Sequence, residues 1–155
     1  LTTQPVVGVV FGSESDRKVM AEAGTYLDRF EIPYEVQVLS AHRNPARTAR
    51  YARDAKERGI KVLIAGAGMA AHLAGVMAAH TTLPVIGVPI GGSSLGGFDA
   101  LLSMVQMPGG IPVATVAIGT AGARNAAILA AEILALSDAG MAARLEAFRR
   151  ELESN

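Results

Sequence analysis

Short apolar runs recur along the chain, and each is followed by glycine, serine or proline and then by residues of helical period. The first, Val6-Val7-Gly8-Val9-Val10-Phe11, is rich in β-branched residues and does not alternate with polar ones, the pattern of a strand buried on both faces. Over residues 16–30 the apolar positions Val19, Met20, Ala23, Tyr26, Leu27 and Phe30 repeat at helical spacing, which predicts an amphipathic helix that Pro33 forbids to continue. A second strand is expected over residues 34–39. Asn44 and Pro45 then read as the N-cap and first position of a helix that runs to about Arg58 and stops at Gly59. Residues 62–65 predict a third strand, residues 70–79 its helix, and residues 85–88 a fourth strand. After the Gly/Ser stretch 91–97 come a short helix at about 99–104 and a fifth strand near 113–117. A long helix follows from about Gly122, and a last amphipathic helix spans about 141–152.

Strands alternating with helices imply a parallel sheet covered on both faces. The expected class is α/β, a three-layer flavodoxin-like doubly wound sheet of five strands with an extra C-terminal helix, and residues 1–155 read as a single domain. In such sheets ligands bind outside the carboxyl ends of the strands where the order reverses. With order 2-1-3-4-5, taken from the fold class, that point lies between the first and third strands, so the loops after the first three strands should meet at one crevice.

Composition narrows the partners. Fourteen basic residues balance fourteen acidic ones without a long run of either sign, which predicts no nucleic-acid track and no membrane surface, and any anion must be held locally. The chain has no Cys, so a disulfide framework, a thiolate nucleophile and a Cys-based metal site are excluded, and a reducing, cytoplasmic setting is expected. The N-terminus lacks the signature of a signal peptide, and no run approaches the roughly 20 apolar residues of a membrane span. Half the residues are nevertheless hydrophobic. Residues 125–136 are apolar on nearly every helical face, and a helix hydrophobic all round must be covered all round, which predicts a homo-oligomer. The last helix, through Leu145, Phe148 and Leu152, is expected to dock on a surface, with a neighbouring subunit as one candidate.

The candidate chemistry sits in the strand-to-helix turns. Ser40-Ala41-His42-Arg43 sets a titratable imidazole beside a guanidinium, a pairing suited to proton transfer on a phosphorylated substrate, or else an ordinary capping turn. Gly12-Ser13-Glu14-Ser15-Asp16 offers hydroxyls and free amides at a helix start, an anion site or simply a capping box, with Asp16 able to accept from ribose hydroxyls. Arg47 and Arg50 fall along the predicted helix and read as solvated charges. The third turn contains Gly-x-Gly-x-x-Ala at 66–71, but the acidic residue a dinucleotide fingerprint needs about 20 residues later is missing from 86–90. No P-loop is present. His42, His72 and His80 form no metal-ligand spacing, which favours metal-free acid–base work. His72 is either a second wall of the site or a capped turn residue, and His80 reads as a helix-end cap. Gln106-Met107-Pro108 can close the pocket or an interface.

Gly-Ser-x-Ser-Asp at 12–16, Ser-Ala-His-Arg at 40–43, Ala-Gly-Ala-Gly-x-Ala-Ala-His-Leu at 65–73 and Val-Gln-Met-Pro at 105–108 together resemble the class I N5-carboxyaminoimidazole ribonucleotide mutases of purine biosynthesis. Leu-Pro-Val-Ile-Gly-Val-Pro at 83–89 and Ala-Gly-Ala-x-Asn-Ala-Ala at 121–127 extend the resemblance over nearly the whole chain. It implies an enzyme that moves a carboxylate from an exocyclic nitrogen to a ring carbon of a ribonucleotide, with no ATP, metal, biotin or other cofactor, and that works as an octamer. By resemblance His42 is the proton shuttle. Ser13, Ser40 and Arg43 correspond to phosphate contacts and Asp16 to ribose contacts, with Ser15 beside them. Ala67, Gly68, Met69, His72 and Leu73 belong to the substrate wall, on a loop expected to be mobile. The chain departs from the family at Met69, where Gly is usual, Ala74, where Pro is usual, and Asn44, where Thr is usual. Met69 is expected to stiffen or narrow its loop. Two alternatives share this fold: a class II carboxylase that attaches free carbon dioxide to aminoimidazole ribonucleotide, and a non-catalytic mononucleotide-binding module, for instance for flavin.

Overall fold

A computed structural model describes residues 3–154. Five parallel strands, β1 (Val7–Phe11), β2 (Tyr34–Val38), β3 (Val62–Gly68), β4 (Val85–Ile90) and β5 (Ala114–Thr115), form one sheet in the order β2-β1-β3-β4-β5. The order reverses between β1 and β3, where Val7 pairs with Val62 and Phe11 with Gly66, as the fold class predicts.

Side-chain alternation in the central strands divides the interior into two cores. Val7, Val9 and Phe11 of β1, with Val62 and Ile64 of β3, face α1 (Arg17–Arg29), while Val10, Leu63 and Ala65 face the opposite layer. That first face is completed by two C-terminal helices, and the second by α2 (Pro45–Asp54), α3 (Leu73–His80) and α4 (Phe98–Val105). Gly8 is required where β1 passes beneath α2, since a Cβ there would lie 2.8 Å from Leu63 Cδ2 and overlap the Tyr51 phenol oxygen. That phenol donates to Glu35 Oε1 at 2.8 Å; burial first, and the adjacent carboxylate second, push its pKa well above the ordinary tyrosine range.

The long apolar helix, α5 (Thr120–Ala135), is covered in part by its own chain. The chain's own sheet, α1 and α6 (Ala139–Glu153) bury Ala123, Ala126, Ala127, Ala130, Ala131 and Leu134, whereas Ile128, Leu129 and Ile133 are half-buried and Leu136, just past the helix, is exposed. The last helix likewise packs on its own chain: Phe148 meets Phe30 and Tyr26 edge-on at ring-centroid distances of 5.4 and 6.1 Å, with Leu145 and Met141 beside it. Leu152, expected to dock with them, is exposed. A further stretch of unpartnered apolar surface lies on α4 and its approach, where Leu95, Phe98, Leu102 and Val105 stand exposed at spacings that share one helix face.

β4 runs on to Ile90 and β5 shortens to Ala114–Thr115, and three other boundaries moved for physical reasons. β3 continues three residues beyond Ala65 because Gly66 and Gly68 leave room for the Met20 thioether and, at 3.2 Å from a Cβ position, the Ile90 carbonyl oxygen. The next helix starts at Leu73 instead of about Ala70, because after the left-handed Met69 (φ +53°) the chain folds back in two tight turns, Ala71 N–H donating to the Met69 carbonyl and His72 N–H to the Ala70 carbonyl. α2 ends at Asp54 and is followed by turns to Gly59, whose φ is +91°. Asn44 precedes α2 but makes no side-chain capping bond; its carbonyl accepts from the Thr48 hydroxyl. No helix of the described residues is long and apolar enough to cross a membrane.

Candidate active site

The strand order determines which loops can meet. At the end of β1, Gly12 N–H donates to the Gly66 carbonyl at 3.2 Å, and Ser13 follows in extended conformation at the head of a short 3₁₀ turn, Glu14–Asp16. Ser13 Oγ accepts from the Ser15 N–H at 3.4 Å and from the Ser15 hydroxyl at 3.0 Å. A hydroxyl has one hydrogen and two lone pairs, so Ser13 keeps its O–H to give to a ligand. Asp16 is partly buried, and loss of solvation raises its carboxyl above the usual aspartate range against the opposing effect of the Ser13 backbone.

At the end of β2, Ser40 organises its turn in the same manner. Its Oγ accepts from Arg43 N–H at 3.1 Å, and its carbonyl accepts from Asn44 N–H at 2.8 Å and from the Thr48 hydroxyl at 3.3 Å. Thr48 also donates to the Asn44 carbonyl at 3.0 Å and is fully buried, so the turn is tied down from beneath. His42 and Arg43 consequently project outward from a rigid base. Arg43 has no carboxylate partner among the described residues, whereas six other arginines do.

After β3, the left-handed Met69 turns the chain sharply: Ala71 N–H reaches the Met69 carbonyl at 2.8 Å and His72 N–H the Ala70 carbonyl at 2.9 Å. This fold-back carries His72 to His42. Nδ1 of His72 lies 2.8 Å from Nε2 of His42, the rings meeting edge to face at 84° with centroids 5.0 Å apart. Two residues separated by 30 positions thus form one hydrogen-bonded pair.

These loops enclose a cleft of about 490 Å³. Ser13, Ser15, Asp16, Ser40, His42, Arg43, Ala67, Gly68, Met69, His72 and Leu73, every site residue expected from sequence, line it. A fourth wall was missed: Ile90, Gly91, Gly92 and Ser93, after β4. Ser93 Oγ donates to Asp99 Oδ1 at 2.9 Å and accepts from Leu95 N–H at 3.1 Å, which anchors this wall to α4. Its signal was available, since a Gly/Ser stretch after a parallel strand stands where the other three loops stand. His80 is remote from the cleft and lies 3.4 Å from an Arg53 nitrogen. Arg47 and Arg50 are exposed on α2 and do not line it. Met107 and Pro108 line a separate cavity of about 500 Å³ with Val113, so the segment at 106–108 does not close the site from within its own chain. Gly66 and Gly68 belong to a strand, not a phosphate loop, which removes the dinucleotide reading. Among the described residues no cluster of three or more metal-ligating side chains occurs.

The cleft therefore combines one permanent cation, two serine hydroxyls whose hydrogens remain available, one desolvated carboxyl group and a paired imidazole. That set can hold a phosphorylated sugar and move a proton beside it.

The profile of a family described as AIR carboxylase matches residues 6–155. An N5-carboxyaminoimidazole ribonucleotide mutase of Bacillus subtilis is 57% identical over 148 residues, 96% of this chain and 91% of that protein. One from Pyrococcus abyssi is 56% identical over 149 residues, covering 96% of this chain and 84% of the relative. A phosphoribosylaminoimidazole carboxylase of Schizosaccharomyces pombe is 55% identical over 144 residues, 93% of this chain but 26% of that much longer protein. Among solved structures, Treponema denticola PurE superposes with a TM-score of 0.88 at 27% identity, covering 97% of this chain and 92% of that one. Matched in sequence from Val6 onward and in its whole doubly wound architecture, this chain belongs to the AIR carboxylase family.

Proposed function

We propose that this chain is an ATP-independent mutase that converts N5-carboxyaminoimidazole ribonucleotide to 4-carboxy-5-aminoimidazole ribonucleotide in purine biosynthesis, with His42 carrying the proton. The observation behind this reading is the convergence of His42, Arg43 and the Ser13 and Ser40 hydroxyls on one cleft, in a chain 57% identical to a mutase of nearly equal span. Arg43 and the two hydroxyls hold the substrate phosphate, a planar fork and two O–H donors meeting an anion's oxygens. Ser15 supports Ser13, and Asp16 accepts from the ribose. Ala67, Gly68, Met69, His72 and Leu73 form the base-side wall.

His42 gives a proton to the exocyclic nitrogen as its bond to the carboxyl carbon breaks, and carbon dioxide is released into the cleft. The ring carbon attacks that carbon dioxide, and the proton displaced from the ring carbon returns to His42, restoring its starting form. Retaining carbon dioxide requires a site that excludes water and fixes the reacting atoms, the contribution of the small-residue walls after β3 and β4. No cofactor enters this cycle.

The exposed stripe of Leu95, Phe98, Leu102 and Val105 supports assembly of the chain as a homo-oligomer, with eight subunits the number implied by resemblance. A cysteine-free enzyme of nucleotide synthesis suits the cytoplasm.

The carboxylase name of the Schizosaccharomyces pombe relative favours a second reading, attachment of free carbon dioxide to aminoimidazole ribonucleotide. The test follows both substrates without ATP. Rapid conversion of N5-carboxyaminoimidazole ribonucleotide without added bicarbonate supports the mutase. Conversion only of aminoimidazole ribonucleotide at high bicarbonate makes the chain a carboxylase, and conversion of neither leaves a binding module.

A further inference from the structure

We infer that His72 is a positioning residue for His42, accepting a hydrogen bond from His42 Nε2–H so that every proton exchanged with substrate passes through His42 Nδ1. The inference rests on the mutase reading for its kinetic consequence, but the pairing itself does not. Its basis is the 2.8 Å contact between His42 Nε2 and His72 Nδ1, both in the cleft, on loops from two different strands.

The chemistry of two imidazoles at that distance restricts their states. Only one hydrogen fits between the nitrogens. When His42 carries its extra proton, both of its nitrogens bear hydrogen, so Nε2–H must donate and His72 must present a lone pair at Nδ1, keeping its own hydrogen on Nε2. A neutral His72 thereby stabilises the cationic acid that the first step needs, through a charge-assisted bond. In that step the Nδ1–H bond of His42 breaks, its electron pair stays on Nδ1, and the proton goes to the departing nitrogen of the substrate. In the last step the ring C–H pair returns to the substrate ring and the proton returns to Nδ1. The Nε2–H bond to His72 persists throughout, so the imidazole need not rotate between its two tasks. Protonating both rings together would set two like charges in contact. The other ionisable groups lining this cleft are Asp16 from the β1 loop and Arg43 from the β2 loop; the β4 wall contributes none.

His72→Leu removes the acceptor, and His72→Asn offers an amide oxygen where Nδ1 stood. For His72→Leu the expected result is a kcat about 10- to 100-fold lower. KM should change less than about threefold, and the high-pH limb of kcat should move to lower pH as the acid form loses its support. His72→Asn should recover most of the rate. A raised KM at unchanged kcat would make His72 only a wall, and equal losses in both variants would overturn the inference. Nitrogen-15 spectra of histidine-labelled protein test the pair without any substrate. Neutral wild-type His42 should hold its hydrogen on Nε2 and lose that preference in His72→Leu. Mixed tautomers in the wild type would refute the pairing even if the mutase is active. A fixed tautomer in a protein that does not convert N5-carboxyaminoimidazole ribonucleotide would sustain the pairing and overturn the proposed function instead.

Discussion

Met69 stands at φ +53° on the cleft wall with 67% of its surface exposed, and replacing it with glycine should stabilise the protein. A residue bearing a Cβ pays about 1–2 kcal/mol for the left-handed conformation, which glycine adopts without that clash. Glycine in turn loses more backbone freedom on folding, about 0.5–1 kcal/mol. The exposed thioether buries too little apolar surface to alter this balance, so Met69→Gly should gain up to about 1.5 kcal/mol, and about 0.75 kcal/mol at the midpoints of both ranges. For a domain of this size that raises Tm by about 1–4 °C, measured by thermal unfolding at one fixed protein concentration. Met69→Ala keeps the Cβ and removes the thioether, and should stay within about 0.5 kcal/mol of the wild type. If glycine is no more stable than alanine, the turn carries no strain of the kind assigned to it. If both variants lose stability together, the thioether has a packing partner whose loss outweighs any relief of the left-handed turn.

Other substitutions test other parts of the fold and site. Gly122→Ala reverses a general rule: alanine ordinarily gains about 1 kcal/mol over glycine in a helix. Here the new Cβ would overlap the Ala117 carbonyl oxygen and lie 2.6 Å from its carbon, so chemical denaturation should show a loss of about 1–3 kcal/mol. Asp16→Asn should raise KM by about tenfold or more, the scale of a hydrogen bond to a charged group. Because burial raises the Asp16 carboxyl above its unfolded value, the neutral form favours the fold at low pH and that advantage fades as pH rises through the folded value. At neutral pH the asparagine variant should therefore be at least as stable as the wild type, and a clear fall in Tm would contradict the assigned desolvation. Phe98→Glu combined with Leu102→Glu should reduce the assembled mass seen by light scattering while leaving far-ultraviolet circular dichroism unchanged, since both side chains are exposed on the folded chain.

The strands and the helices between them were legible because a parallel sheet covered on both faces leaves uninterrupted apolar runs, and the residues of the first three loops all reached the cleft they were expected to share. What periodicity cannot say is which surface covers an apolar helix. The all-round apolarity of α5 suggested another subunit; the sheet, α1 and α6 cover its small residues and leave Ile128, Leu129 and Ile133 half-buried, while the exposed stripe on α4 has the spacing of an ordinary core face. The extension of β3 through Gly68 was hidden by composition: alternating Ala and Gly read as a loop, and only pairing with β4, Gly68 opposite Ile90, makes it a strand. The His42–His72 bond had no sequence signal, because it depends on the fold-back at Met69.

The most direct measurement of the central claim uses N5-carboxyaminoimidazole ribonucleotide carrying carbon-13 in its carboxylate, incubated without ATP in unlabelled bicarbonate with wild type and His42→Asn. Wild type should deliver the label to the ring carbon with most of it retained, and His42→Asn should bind the ribonucleotide yet form no product. Product formed by His42→Asn at the wild-type rate would remove His42 from the chemistry, and label replaced by unlabelled carbon from solution would contradict a carbon dioxide held in the cleft.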